Sequence, residues 1–363
     1  MDKLVGIITA NYSIEELGML AKDRTIASLP YGSRYRIIDF PLSNMVNSGI
    51  MTVGLIMPYK YRSIIDHIGS GSEWSLDRKN RGLFILPGSM YGASSTNSRF
   101  VIRDFARNEI FLERSPAPYV LVTAANTVCN VDYSELYQYH VDNRADITMA
   151  YTVAHQDDKI INCIHEVDGK VSDVTVGVKE GDKAFADCFI INRELLINIF
   201  KWYKARDFMD LFQAIKTEYS NFNVRTFEFG GYVRNIFDIK TYFNSCMEPL
   251  LPEIFTELFM TDTPILTKEH DSMPSKYEEG SVVKNSLVPA GCKIAGHVED
   301  SVLFRNVVIE EGAVIKNSII MQNCVVKAGA VIENAIIDMK NTIQNGVVIK
   351  GTTDNIFLKE KNS

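Results

Sequence analysis

No stretch of this 363-residue chain approaches the ~18 consecutive apolar residues that a membrane-spanning helix needs. The opening MDKLVGIITA is a short apolar run with no cleavage site, and it reads as a buried first strand rather than a secretion signal. The six cysteines (Cys129, Cys163, Cys188, Cys246, Cys292 and Cys324) form no CxxC pair and no metal-like spacing. They are expected to be reduced thiols of a cytoplasmic protein. Positive charge is not in excess. Lysine and arginine total 38 against 45 aspartates and glutamates, and the net charge of −7 argues against a general nucleic-acid or anionic-membrane binder. A local phosphate pocket remains open. Arg34, Arg36, Lys60 and Arg62 are its candidate, with a solvated charged face as the alternative.

What is present divides the chain in two. Over the first two-thirds, strand and helix patterns alternate. Apolar runs at 4–9, 51–57, 119–124 and 147–153 read as strands. Helices are expected from Asp39 to Gly49, over 61–68 with Gly69 as the stop, over 101–114, and over 134–141 with Ser134 as the cap. Such alternation implies an α/β domain, Rossmann-like, with a mainly parallel sheet and helices on both faces. Ligands on such sheets lie beyond the carboxyl ends of the strands. The places to look are therefore just after Thr9 and just after Ala124.

Tyrosine and tryptophan disappear after Tyr277, and Val, Ile, Gly and Asn take over. Every sixth residue from Val307 is apolar: Val307, Ala313, Ile319, Val325, Val331, Ile337, Ile343 and Ile349. That period suits neither a helix nor a half-buried strand. It suits hexapeptide repeats winding as a parallel β-helix, about three repeats per coil. The expected organisation is a first domain over 1–249, a proline-bearing linker over 250–279 (Pro252, Pro264, Pro274) and a β-helix domain over 280–363.

The segment Tyr35-Arg-Ile-Ile-Asp-Phe-Pro-Leu-Ser-Asn-Met-Val-Asn-Ser-Gly-Ile50 is similar to a signature of the bacterial and plant ADP-glucose pyrophosphorylases, the glucose-1-phosphate adenylyltransferases. With the hexapeptide C-terminus, the resemblance covers most of the chain. It implies a nucleotidyltransferase domain followed by a left-handed β-helix. It also implies the reaction of ATP with glucose 1-phosphate to give ADP-glucose and pyrophosphate. In that chemistry two aspartates hold Mg²⁺, which offsets charge built up in the transition state, and a glycine-rich loop cradles the triphosphate.

The chain departs from that pattern at the positions that carry chemistry. After the first strand it reads Ala10-Asn-Tyr-Ser-Ile-Glu-Glu-Leu17, with no glycine and with Glu15 and Glu16 where phosphates would sit. The family's lysine-proline pair falls on Ile26 and Ala27. The two metal aspartates fall on Asn126 and Asn235. The Gly-Thr-Ala-Asp segment has only Tyr91-Gly92-Ala93-Ser94 as a remnant, and the sugar-phosphate lysine only Lys179 as a candidate. This pattern looks like the family's D-type subunit, a poor catalyst alone that modulates a catalytic C-type subunit in a mixed oligomer, a heterotetramer. No cofactor is expected to be retained, with Mg²⁺ needed only for residual activity. Arg34, Arg36 and Asp39 are the candidates for a retained sugar-phosphate, nucleotide or effector contact, Arg36 and Asp39 being equally readable as a brace of the turn. Two rival readings stay open. One is an active enzyme with Asp132 or Asp238 as metal ligands. The other is a hexapeptide acyltransferase using His297, the only histidine after residue 280.

Overall fold

A computed structural model describes residues 3–12, 15–57, 60–88, 98–203 and 209–361. The remnant 91–94 lies outside the described residues. The N-terminal domain is built on a nine-stranded mixed sheet. Leu4–Thr9 lies between Thr52–Met57 and Tyr119–Ala124, parallel to both, and Gly82–Pro87 extends this parallel part at the edge. Lys183–Asn192 then pairs antiparallel with Tyr119–Ala124. The parallel half is the part with crossover helices, and the later strands turn the sheet mixed. Alternate residues of one strand enter different cores, as the two-residue period requires. Val5 and Ile7 join one apolar cluster, and Leu4 and Ile8 the other.

Several local expectations shift by small physical causes. The 101–114 helix is two helices, Ile102–Arg107 and Glu109–Glu113, broken at Asn108, whose side chain donates to the Asp104 and Pro87 carbonyls. The helix expected from Ser134 starts at Tyr133. Its cap is Asp132, whose carboxylate accepts from the Ser134 amide at 2.8 Å. Asp39 is the first residue inside its helix rather than its cap. Gly69, at φ 54°, ends Arg62–Ile68 as expected of a left-handed residue at a helix end.

The C-terminal part is a three-sided parallel β-helix of the left-handed hexapeptide type. From His297 onward its strands repeat every 17 residues, as in His297, Val314, Val331 and Val348, not every 18, while the first turn, Val282 to His297, takes 15. One side of these 17-residue coils is thus a residue short, and a strict six-residue count slips. The inward series is Ile309, Ile315, Ile320, Val326, Ile332, Ile337, Ile343 and Ile349, all in one buried cluster. Val325 and Val331 of the six-residue series are only half-buried. Ile319 points outward, and with Val302, Phe304, Met321 and Ile336 it belongs to the core of the N-terminal domain. Left-handed corners carry Asp300, Asn317 and Asn334 in one row and Asn306, Asn323 and Lys340 in another. Asparagine tolerates that conformation well, and Asn306 bonds Asn323 at 3.2 Å across one step.

One side of the β-helix is therefore fused to the N-terminal domain. Arg24 lies within that seam, 2.8 Å from Asp338, and both side chains are nearly buried. The 250–279 segment is tied down along its length. Phe259 stacks on Tyr35 at 4.9 Å, the Leu266 amide donates to Ser43 Oγ at 2.8 Å, and Asn47 donates to the Pro264 carbonyl at 3.0 Å. Removing one partner of a buried ion pair leaves an uncompensated charge. Arg24→Ala is expected to lower stability by about 3–5 kcal/mol in urea unfolding. The double change Arg24→Met with Asp338→Leu should recover most of that loss; a double variant as unstable as the single one would show that the charge pair is not the cause.

Candidate functional site

The crevice after Thr9 and Ala124 is assembled by register. Thr9 lies opposite Ala124, and the Ala125 amide donates to the Thr9 carbonyl at 2.9 Å. The chain then continues to Asn11 and Tyr12 on one side and to Asn126 on the other. Thr127–Cys129 pairs antiparallel with Val233–Asn235, placing Asn235 opposite Thr127. The two asparagines singled out in the sequence are thus neighbours in space. Asn126 is fully buried. Its Oδ1 accepts from the Tyr12 hydroxyl at 3.2 Å and its Nδ2 donates to the Ile236 carbonyl at 3.4 Å. Asn235 accepts from Thr127 Oγ1 at 2.9 Å and donates to the Phe185 carbonyl at 3.1 Å.

A buried ion pair completes the cluster. Arg99 Nε lies 2.6 Å from Asp187 Oδ2, with side-chain exposures of 7% and 0%, and the Arg99 guanidinium sits 5.3 Å from the Phe237 ring centre. Asp187 has φ 52° where the pairing between Phe185 and Phe189 is irregular, so the strand bulges to aim it inward. Burial pushes its carboxyl above the ordinary range, with the Arg99 charge pulling it back. Burial likewise raises the Tyr12 phenol well above its ordinary value, which keeps it a proton donor. No sequence pattern flagged Arg99 or Asp187. The only available signal was a charged residue in each of two otherwise apolar contexts, Arg99-Phe-Val and Ala186-Asp-Cys.

Magnesium does not fit this donor set. It takes oxygen ligands and favours carboxylates. Both asparagine amides are already committed, and the one carboxylate among these groups is neutralised by a guanidinium. Among the described residues, no group of three or more His, Cys, Asp or Glu side chains could hold a metal ion. Asp132 and Asp238 are helix caps. Asp238 forms a reciprocal capping box with Thr241. Ile26 and Ala27 are buried apolar filling, and Glu15 and Glu16 are solvent-exposed at the start of a short 3₁₀ segment. Lys179 lies exposed in a turn, its amide bonded to Asp182. His297 lies 3.4 Å from Glu299 on the outer surface of a coil.

The second notable place is the groove between the two domains. Two adjoining hollows of about 230 and 500 Å³ share Lys268, His270 and Arg305; Arg36 lines the first and Arg34 the second. Arg34 lies over the Tyr35 ring, while the Arg36 guanidinium donates to the Ser63 carbonyl and hydroxyl. Asp39 accepts from the Arg36 backbone amide at 2.9 Å and bonds His67 at 2.5 Å, so its carboxylate braces the strand-to-helix turn. Lys60 is elsewhere, donating to the Ala21 and Lys22 carbonyls, and Arg62 is exposed and lines neither hollow. The groove is cationic enough to shift its own members. Burial, then Arg305, Lys268, His67 and Arg36, push the His270 pKa down. Lys268, His270 and Arg305 were not singled out in the sequence. Arg305 is the sole arginine after Arg234, which was a legible signal.

Fold and crevice together define a nucleotidyltransferase-type domain joined to a hexapeptide β-helix. The nucleotidyl transferase family matches residues 17–161, and the GlmU-like, C-terminal hexapeptide family matches 272–355. The glycogen biosynthesis protein GlgD of Bacillus subtilis (strain 168) is 30% identical over 315 residues, spanning 87% of this chain and 83% of that protein. The protein of the same name from Geobacillus stearothermophilus is 34% identical over 314 residues, 86% and 83% of the two chains. The glucose-1-phosphate adenylyltransferase of Thermotoga maritima is 30% identical over 326 residues, 87% and 77%. The chain belongs to the family of these GlgD proteins and glucose-1-phosphate adenylyltransferases. No described helix is long and apolar enough to cross a membrane.

A charge introduced into this crevice should show its dryness. Asn126→Asp places a second carboxyl beside Asp187, where burial favours the neutral form. Its pKa is then higher folded than unfolded, so the variant is destabilised at high pH and the loss shrinks as pH falls through the folded pKa. The expected loss is on the order of 2–4 kcal/mol at pH 8, shrinking toward pH 5 in a series of thermal melts against wild type. A difference that stays constant with pH would place residue 126 in contact with water.

Proposed function

We propose that this chain is a regulatory, weakly or non-catalytic subunit of a glucose-1-phosphate adenylyltransferase, acting in glycogen biosynthesis in the cytoplasm. Its partner is a catalytic C-type subunit of the same fold, in a mixed tetramer. The observation that carries the reading is the state of Asn126 and Asn235, side by side at the strand ends, uncharged, with their amides already bonded inside the protein. A metal worth ~4 kcal/mol to the transition state, once lost, costs on the order of 10³ in rate. Six free, buried cysteines support the compartment, and the similarity to glycogen biosynthesis proteins supports the pathway.

Regulation is assigned to the groove between the domains. Arg34, Arg36, Lys268, His270 and Arg305 converge there from three parts of the chain, with Asp39 and Asp66 as the nearby acids. A phosphorylated, anionic effector suits that charge. Because it would touch both domains, it can bias their packing and hence the partner's active state.

Co-purification of the natural partner, followed by assays of each subunit and the mixture at saturating Mg²⁺, tests the reading. This chain alone should turn over at least a hundredfold more slowly than the partner, and mixing should change the partner's substrate or effector affinity by about 5- to 150-fold. Turnover by this chain within tenfold of the partner would end the non-catalytic reading. Mixing that leaves every kinetic constant unchanged would end the regulatory one.

Arg34→Ala and Arg305→Ala should each weaken effector response by about fivefold or more with unchanged melting, whereas Lys60→Ala should not. An anion stabilises protonated His270, so binding takes up a proton, and effector affinity should rise as pH falls from 7 toward 5. Isothermal titration in two buffers of different ionisation enthalpy reads that proton directly.

A further inference from the structure

The lapsed metal position is more than a missing charge. Arg99 reaches it from the residues just before Ile102–Arg107, Asp187 from the bulge in Lys183–Asn192, and Tyr12 from the residues following Leu4–Thr9. All three side chains, with Asn126, are nearly or fully buried. They lie beyond the ends of Leu4–Thr9 and Tyr119–Ala124, the crevice in which an open sheet of this type receives a ligand. The Arg99 guanidinium is held from two sides, by Asp187 at 2.6 Å and by the Phe237 ring at 5.3 Å. Phe237 is two residues beyond Asn235, so one short segment fixes both the second asparagine and the arginine. The Tyr12 hydroxyl closes over the Asn126 oxygen that a cation at this place would need.

We propose that Arg99 and Asp187, with Tyr12, form a built-in occupant of the nucleotide crevice that keeps out a divalent cation and its nucleoside triphosphate whatever stands at positions 126 and 235. The guanidinium is a permanent cation, and it already neutralises the carboxylate aimed into the crevice. A divalent ion there would face that charge across a dry interior where repulsion is poorly screened. Asn126→Asp alone, or together with Asn235→Asp, therefore does not rebuild a metal site, because the new carboxylates inherit an arginine rather than a vacancy. This inference rests on the reading of a non-catalytic subunit and explains why reversal by one or two substitutions fails.

The test uses the full chain, with Mn²⁺ and ATP as probes, free Mn²⁺ being followed by electron paramagnetic resonance. Wild type and Asn126→Asp/Asn235→Asp should show no saturable Mn²⁺·ATP site. Adding Arg99→Met and Asp187→Ala to the two carboxylates removes both members of the pair and should give binding at least tenfold tighter. The proposal is overturned if the two carboxylates suffice with Arg99 in place, or if the fourfold variant binds no better. Should the carboxylates prevent folding, as circular dichroism will show, Arg99→Gln in the natural background is read by the fluorescence of an N-methylanthraniloyl ATP; gained binding supports the occupant and unchanged binding refutes it. Tight Mn²⁺·ATP binding with turnover by the wild-type chain would instead overturn the non-catalytic reading itself.

Discussion

Ile319 and Ile336 point out of the β-helix and into the core of the neighbouring domain, and most of the molecule's organisation follows from that packing. With Val302, Phe304 and Met321 they make one side of the coil a continuation of the N-terminal core. Two domains joined only by a tether would move independently as a default. Here a shared apolar seam holds them together, with the Arg24–Asp338 pair inside it. The cationic groove is a consequence. Arg305 stands one residue beyond Phe304 of the seam, so packing of the apolar side sets the distance between Arg305 and the Arg34–Arg36 turn.

The same packing explains what the sequence did and did not disclose. Alternating strand and helix runs sufficed to place Leu4–Thr9, Tyr119–Ala124 and Ile147–Val153 to the residue, because strands buried within a sheet are largely continuous apolar runs. The hexapeptide rhythm disclosed the β-helix for the same reason. Its phase did not, because a 17-residue coil and an 18-residue one share the same apolar composition. Only pairing of neighbouring coils distinguishes Ile332, inside, from Val331, half-exposed. Ile319 fitted the inward series numerically and is buried, but against another domain, a fact no local pattern carries.

The candidate site divides along similar lines. Asn126 and Asn235 were legible because a short polar residue ends an apolar strand, and because the resemblance supplied what stands there in relatives. Arg36 and Asp39 were legible as a pair that braces a turn, and their closest contact is through the Arg36 amide, with His67 as the second partner of the carboxylate. Arg99 and Asp187 were not legible. Their meaning arises only when a bulge in one strand and the approach to a helix meet across 88 residues. Lys268 and His270 were hidden in a segment read as a linker, which is instead bonded to the domain surface by Ser43, Asn47 and Asn130.

Charge balance sets the crevice apart from the groove. A crevice that binds metal and triphosphate must hold acids close together, and such acids repel each other until the metal arrives. An apo chain with two carboxylates there carries that strain. Asparagine at both positions carries no such charge, and Asp187 is paired with an internal guanidinium. The groove loses nothing by this, since its cations lie on a different set of elements and stay open to solvent. On the proposed reading, such a chain offers a partner a crevice bonded within itself and offers small anions a separate cationic groove. That is the arrangement a modulatory subunit requires, because its response to an effector is then uncoupled from substrate bound to itself.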